Sequence, residues 1–113
     1  MRRRDEKHLA WLRTLPCCIC HDPTATEAAH VRMSDARIAK MATGIAIKPD
    51  DRFTVPLCSS HHREQHAGSE RKFWQRFDRD PILLALALYS ASGDLEEANR
   101  IMFGNRMNIL AAG

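Results

Sequence analysis

The sequence predicts a small α+β domain that is stabilised by a metal ion and flanked by an N-terminal helix and C-terminal helices. Three observations lead to this prediction. Two Cys/His pairs of matching spacing occur in a chain of 113 residues, two short segments rich in β-forming residues accompany them, and the remaining apolar residues follow helical patterns. A chain of this length suits one domain with a modest core, which a bound metal ion would stabilise.

The composition is that of an ordinary globular chain, with 27% charged and 44% hydrophobic residues and a net charge of +3. The mild positive charge permits a polyanionic partner. The longest apolar run, ILLALALY, is too short to cross a bilayer, so no membrane partner is expected. The N-terminus lacks a signal-peptide pattern, which favours the cytoplasm, and there clustered cysteines are more often metal ligands than disulfides.

The first predicted element is a helix over residues 5–15, DEKHLAWLRTL. Asp5 can cap its N-terminus, Leu9 and Leu12 share a face, and the following proline ends it. The next segment, PCCICHDP, is predicted to be a tight turn that carries three of the four cysteines.

Two strands and a helix are predicted next. TEAAHVR favours a short strand that ends near His30, and RFTVPLC favours a second strand that leads directly into a helix beginning near Ser59 or Ser60. Between the strands, residues 33–52 are polar and contain turn signals, so they are predicted to form a loop.

The rest of the chain is predicted to be helical. The aromatic residues of GSERKFWQRF fall on one side of a helix. In DPILLALALYSAS, Asp80 stands in the cap position and Pro81 at the first helical residue. In GDLEEANRIMFG, Asp94 is followed by Glu97 as in a capping box. We interpret these helices as the core and covering layer of a small metal site.

The strongest signal is a pair of ligand motifs, Cys17-x-x-Cys20 and Cys58-x-x-His61. Each presents two side chains to one ion, and four such ligands in a tetrahedral array suit Zn²⁺. The competing interpretation is that the two N-terminal cysteines are buried thiols. Cys18 is interpreted as a non-ligand, although it could replace Cys17.

Two further histidines follow His61 on the same predicted helix. Because successive helical residues are rotated by about 100°, His61 can face the cysteines while His62 and His66 share another face and bind a second ion. The alternative for His62 and His66 is a solvated helix face.

His30, at the end of the first predicted strand, has a use beside such a site. It could deprotonate a water molecule while a metal ion stabilises the developing charge. The alternative is a hydrogen-bonded core histidine. His8 and His21 are interpreted as surface residues.

Together, CCIC…AAHVR…KPDDRFTVPLCSSHHREQH resembles the HNH endonucleases of ββα-metal architecture. It is most similar to small zinc-containing phage and prophage HNH proteins, including the recombination-enhancement nucleases that act with a recombinase. The resemblance covers about residues 16–75. It implies a single HNH nuclease domain over 1–113, with its core at 16–75 and a helical C-terminal extension at 76–113.

The resemblance also implies a role for each matching residue. His30 takes the place of the general base, and Asp51 lies near the place of the asparagine that orients it. The catalytic ion is then held by His62 and His66, and the structural zinc by the four Cys/His ligands. Such enzymes cleave DNA phosphodiester bonds and leave 5′-phosphate and 3′-hydroxyl ends.

The sequence departs from the family pattern at two places. Ala29 replaces the metal-binding Asp or His that often precedes the general base, so the ion would have fewer protein ligands. An aspartate replaces the middle asparagine, and its register is open because Asp50 and Asp51 are adjacent. A carboxylate there can still accept the imidazole N–H, and it would make His30 more basic.

The resulting hypothesis is a metal-dependent endonuclease that acts on DNA. Candidate phosphate contacts are Lys48, Arg63, Arg71 and the arginines at 2–4. Mg²⁺ is the usual ion of nucleases, but imidazoles are poor Mg²⁺ ligands, so Mn²⁺, Ni²⁺ or Zn²⁺ could occupy the catalytic site. A recombinase or another phage protein is a further expected partner.

Two other interpretations stay open from the sequence. The first is a non-catalytic zinc module that binds nucleic acid or a protein. The second is a structural zinc domain inside a phage assembly, with the C-terminal helices as the docking surface. The first does not explain the presence of His30, His62 and His66 together.

Overall fold

The computed structural model describes residues 4–38 and 50–104, which form an α+β fold. Its helices and strands, in chain order, are α1 Glu6–Leu12, β1 Thr26–His30, β2 Thr54–Cys58, α2 Ser59–His66, α3 Glu70–Arg76, α4 Pro81–Ser90 and α5 Leu95–Asn99. A 3₁₀ turn, Ala36–Ile38, follows β1, and a π-helical turn, Arg100–Gly104, continues α5. The predicted α+β class and the order strand, strand, helix are confirmed, whereas most of the loop predicted at 33–52 lies outside the described residues.

The two strands pair antiparallel. Thr26 lies opposite Cys58, and His30 lies opposite Thr54. The end of β1 is therefore beside the start of β2, while the end of β2 passes without a break into α2. This register places the cysteine of the second ligand pair at the junction of strand and helix.

Side-chain caps define where most of the helices begin. The Asp5 carboxylate accepts from the His8 N–H at the start of α1. Asp80 caps α4, with Pro81 as its first residue, and Asp94 caps α5 by accepting from the Glu97 N–H. These caps were predicted. Helix α1 is shorter than predicted, because the chain turns after its seventh residue instead of continuing to the proline.

The core lies between the sheet and the flanking helices. Helix α1 packs on both strands, α4 packs on β2, and α2 packs on both strands and on α3. The largest fully buried hydrophobic side chains are Trp74, Leu12, Leu15, Leu57, Ile82, Leu88 and Met102. The C-terminal helices thus supply a large part of the core. No helix in residues 4–38 and 50–104 is long and apolar enough to cross a membrane.

The prediction that His8 is a surface residue was wrong. His8 is 1% exposed, and its Nδ1 lies 2.8 Å from the Ser92 hydroxyl. Burial lowers its pKa, while the carboxylates of Asp5 and Asp51 act in the opposite direction. The error arose because the chain after α4 covers a side of α1 that the helix pattern alone assigns to solvent. His21 is half-buried.

Candidate functional site

Each predicted ligand pair lies in a turn whose backbone is directed at a sulfur atom. In the first, the Ile19 N–H donates to Cys17 Sγ at 3.4 Å, and the turn closes with His21 at a left-handed φ of 66°. In the second, the His61 N–H donates to Cys58 Sγ at 3.5 Å, so this sulfur is also the cap of α2. Such N–H donors stabilise thiolates, which are the metal-binding form of cysteine.

The two turns bring four ligand atoms together. Those of Cys17, Cys20, Cys58 and His61 all lie within 4.8 Å of one another. His61 Nδ1 is 3.7 Å from Cys17 Sγ and 3.3 Å from Cys58 Sγ, and Cys20 Sγ is 3.8 Å from Cys58 Sγ.

These spacings fit a zinc ion. Tetrahedral Zn²⁺, with bonds of about 2.3 Å to sulfur and about 2.0 Å to nitrogen, places two sulfurs about 3.8 Å apart and a sulfur and a nitrogen about 3.5 Å apart. The cluster can therefore bind a metal ion such as zinc.

The cluster also decides between Cys17 and Cys18. Cys18 is fully buried outside the ligand set, and burial, followed by the charge of Cys17, raises its thiol pKa far above the usual range. For Cys17, burial would raise the pKa, but several backbone hydrogen bonds outweigh burial and lower it. Cys17 is therefore the candidate ligand, and Cys18 is a core residue whose N–H donates to Pro56 O at 2.9 Å.

His61 and His62 are adjacent but point to different places. The ring of His61 packs edge-on against Phe77, and its Nδ1 faces the sulfurs. Nδ1 of His62 instead lies 2.8 Å from a carboxylate oxygen of Glu27, and its ring centroid is 4.9 Å from that of His66. The hydrogen bond from His62 lowers the pKa of Glu27. His61 thus faces the sulfurs and His62 faces Glu27 and His66, and two separate ion sites stay a prediction.

His62 and His66 offer two imidazoles and not a closed set of four ligands. The pKa of His66 is lowered first by burial and then by the positive charges of His62 and Arg32, with a smaller effect from His30. The neutral imidazole, which is the metal-binding form, is thereby favoured. In the part of the chain that the structure describes, three or more ligand atoms converge within 4.8 Å at the four-residue Cys/His cluster and not at this pair. An ion here would have two protein ligands and several open positions.

His30 lies at the end of β1 against Asp51. Its Nε2 is 2.8 Å from Asp51 Oδ1, and the side chains are 12% and 3% exposed. The other oxygen of Asp51 accepts from the Asp5 N–H at 2.7 Å, so the first turn of α1 helps to hold this carboxylate. Asp50 instead forms an ion pair with Arg52 at 3.0 Å. Of the two adjacent aspartates, Asp51 is therefore the one that contacts His30.

Two residues that the sequence did not single out connect the helices to the end of β1. Gln65 Nε2 donates to the His30 carbonyl at 3.1 Å and to the Glu70 carboxylate at 2.8 Å. Glu70 also accepts from the N–H groups of Arg32 and Met33 and from the Trp74 indole. No local pattern could have found this network, because Gln65 and His30 are 35 positions apart.

The predicted phosphate contacts are distributed over the surface. Arg63 is exposed on α2, and Arg71 donates to the Ser34 carbonyl at 3.1 Å. Arg4 is exposed, whereas Lys48 and the arginines at 2 and 3 lie outside the described residues. A cation that the sequence analysis missed is Arg32: it is half-buried, and within the described ranges its buried Nε has no hydrogen-bond partner.

A comparison with known families identifies this chain. A family model with the description "Protein of unknown function (DUF968)" matches residues 1–92. The chain belongs to the DUF968 family. All the candidate site residues of this DUF968 protein, from the first cysteine to Arg71, lie within the matched range.

A curated relative is similar over part of the chain. It is "Uncharacterized protein YdfU" from Escherichia coli (strain K12), 37% identical over 67 residues. The match covers 58% of this DUF968 chain but 17% of the relative, so the similarity concerns a small part of a much longer protein. No solved structure matches the chain.

Proposed function

We propose that this DUF968 protein is a metal-dependent HNH endonuclease that hydrolyses DNA phosphodiester bonds. The observation that carries the proposal is the grouping of His30, oriented by the buried Asp51, with the His62/His66 pair of the following helix. A carboxylate-oriented imidazole beside two imidazoles of one helix face suits proton abstraction next to a metal ion.

The fold around this group supports the same proposal. The two antiparallel strands followed directly by α2 have the order of a ββα-metal core. Below them, the Cys/His cluster has the closed ligand set of a structural zinc site, whereas His62 and His66 leave positions open as catalytic sites do. Under this proposal the zinc ion joins the turn after α1 to the start of α2.

His30 would act as the general base. The hydrogen bond between Nε2 and Asp51 would orient the imidazole that takes the proton from the attacking water. The nearly buried carboxylate of Asp51 then stabilises the imidazolium that forms, and the Asp5 N–H keeps that carboxylate in place. A positioned base of this kind contributes roughly 10² to 10⁴ in rate.

A divalent ion held by His62 and His66 would supply Lewis-acid stabilisation of the charge that develops on the phosphate. Two imidazole ligands favour Mn²⁺, Ni²⁺ or Zn²⁺ over Mg²⁺. The lowered pKa of His66 keeps that ligand neutral at pH 7.

DNA is the proposed substrate, and cations near the site are its proposed contacts. Arg32 influences His66 electrostatically and, among the described residues, has no ion-pair partner, so a substrate phosphate would satisfy it. Arg63 and Arg71 would contribute sequence-independent affinity. A recombinase or another phage protein remains the proposed partner, as the HNH resemblance suggests.

The test is plasmid nicking by purified protein with Mg²⁺, Mn²⁺ and Ni²⁺ in turn. His30→Ala should reduce the rate by roughly 10² to 10⁴ and leave DNA affinity nearly unchanged, because phosphate contacts carry the affinity. The adjacent aspartates give a matched pair: Asp51→Ala should lower the rate strongly, and Asp50→Ala should not. A His30→Ala protein as active as the wild type with every ion would refute the mechanism.

A second candidate function is a non-catalytic zinc module that binds nucleic acid or a protein. The observation that favours it is the Cys/His cluster, which is the better-formed metal site within residues 4–38 and 50–104. Wild-type protein that retains zinc and binds DNA but fails to nick it with any of the three ions would support this candidate.

A further inference from the structure

We infer that Glu27 is a positioning residue of the His62/His66 ion site: it accepts the Nδ1–H of His62 and so directs Nε2 of that ring toward the ion. This inference rests on the proposed function, since it concerns the same ion. Neither the sequence motifs nor the HNH resemblance assigns a role to Glu27.

The Glu27 carboxylate is fixed by two hydrogen bonds. Oε1 lies 2.8 Å from His62 Nδ1, and Oε2 accepts from the Ser59 hydroxyl at 3.1 Å. The strand register produces this contact: Glu27 pairs with Leu57, which places it close to the first residues of α2. Both ends of the contact therefore belong to regular secondary structure.

A bond to Nδ1 has a chemical consequence for His62. A neutral imidazole carries one proton, and a carboxylate at Nδ1 keeps the proton there, so that Nε2 presents its lone pair. Metal-binding histidines commonly have such a carboxylate partner, which fixes the tautomer and the ring orientation. With only two imidazoles from the described residues, the orientation of each ring matters more than in a closed site.

Glu27 is better explained as a positioning residue than as a third ligand. If it were a ligand, one of its oxygens and the nitrogens of His62 and His66 should converge, but no such group of three lies within 4.8 Å in the described part of the chain. The competing explanation is an ordinary surface ion pair, since the Glu27 side chain is 48% exposed. Exposed ion pairs contribute little to the stability of a fold.

The experiment uses the zinc-loaded 113-residue chain and measures Mn²⁺ binding by calorimetry. Glu27→Ala should weaken Mn²⁺ binding by roughly 10- to 100-fold, as loss of such partners does in other metal sites. Glu27→Gln should remain much closer to the wild type, because its amide oxygen can still accept the imidazole N–H. The matched control is Glu64→Ala, which removes an exposed α2 carboxylate that pairs with Arg76.

Nicking assays on the same variants separate positioning from chemistry. Glu27→Ala should raise the Mn²⁺ concentration needed for half-maximal activity by the same factor, with the rate at saturating Mn²⁺ close to that of the wild type. Equal Mn²⁺ affinity in Glu27→Ala and wild type would overturn the inference and leave the proposed function standing. Equal weakening in Glu64→Ala would also overturn it, since the effect would then be one of general charge. If wild-type protein binds no Mn²⁺ beyond its zinc site, both the inference and the proposed ion fail.

Discussion

The Cys/His cluster and the His62/His66 pair both use residues of α2, yet they are built in different ways. The cluster takes four ligand atoms from two turns whose backbone N–H groups face the sulfurs. The pair takes two imidazoles from one helix face and depends on side chains from elsewhere, such as Glu27. His61 and His62 lie on different faces of α2 because successive helical residues are rotated by about 100° about the helix axis.

This difference predicts which of the two groups of ligands can be removed without unfolding the protein. The cluster connects the turn after α1 to the junction of β2 and α2, so it links segments that are distant in the sequence. Among the described residues, the pair is linked to β1 through the hydrogen bond between His62 and the exposed Glu27. We therefore expect the cluster to determine stability and the pair to determine activity.

The largest expected effect is that of removing zinc. Structural zinc is worth on the order of 10 kcal/mol in small modules, so a strong chelator or Cys58→Ser should unfold the chain or greatly lower its melting temperature. Circular dichroism during heating measures this. The matched control is Cys18→Ala, which removes a buried thiol outside the ligand set and should retain zinc. An apo protein that melts like the zinc form would show that the cluster is not structural.

The next effect separates the adjacent histidines. His61→Ala should lower the zinc content and the melting temperature, because it removes one of four ligands. His62→Ala should keep the zinc and lose nicking activity. Metal analysis of both purified variants, together with their melting curves, decides the matter. Equal zinc loss in the two variants would mean that the boundary between the sites is misplaced.

A smaller effect is expected at Glu70, which ties the end of β1 to α2 and α3. Glu70→Ala leaves the Gln65 amide, the Trp74 indole and the N–H groups of Arg32 and Met33 without their acceptor. Loss of these bonds should cost about 2–4 kcal/mol of unfolding free energy and should lower activity, with zinc retained. Chemical denaturation measures the cost. A loss below that of Glu64→Ala, which breaks an exposed pair, would contradict this assignment.

The smallest effect is expected at His8, which belongs to neither site. Because burial lowers its pKa from the ordinary histidine value of about 6.5, the unfolded chain binds a proton at a higher pH than the folded chain does. Stability should therefore fall as the pH drops below about 6.5. His8→Gln should reduce this slope. The unfolding free energies of wild type and His8→Gln are compared between pH 5 and pH 8, a range set around the histidine pKa of about 6.5. Saturating zinc is present throughout, so protonation of the zinc ligands contributes equally to both proteins.

The sequence by itself determined the order of the strands and the main helices, most caps and the Cys/His cluster that can bind a metal ion. Asp5, Asp80 and Asp94 act within three residues of themselves, so their roles follow from local spacing. The division between His61 and His62 follows from the helical repeat alone. The four-ligand set followed from two matching spacings, although the choice between the two adjacent N-terminal cysteines did not.

Only the tertiary structure decided which distant side chains meet. Asp51 contacts His30 across 21 positions and the Asp5 N–H across 46. Glu27 reaches His62 through the strand register, and His8 is buried by a segment 84 positions away. These contacts depend on how strands pair and helices pack. The helical and strand periodicities of the sequence do not specify that arrangement.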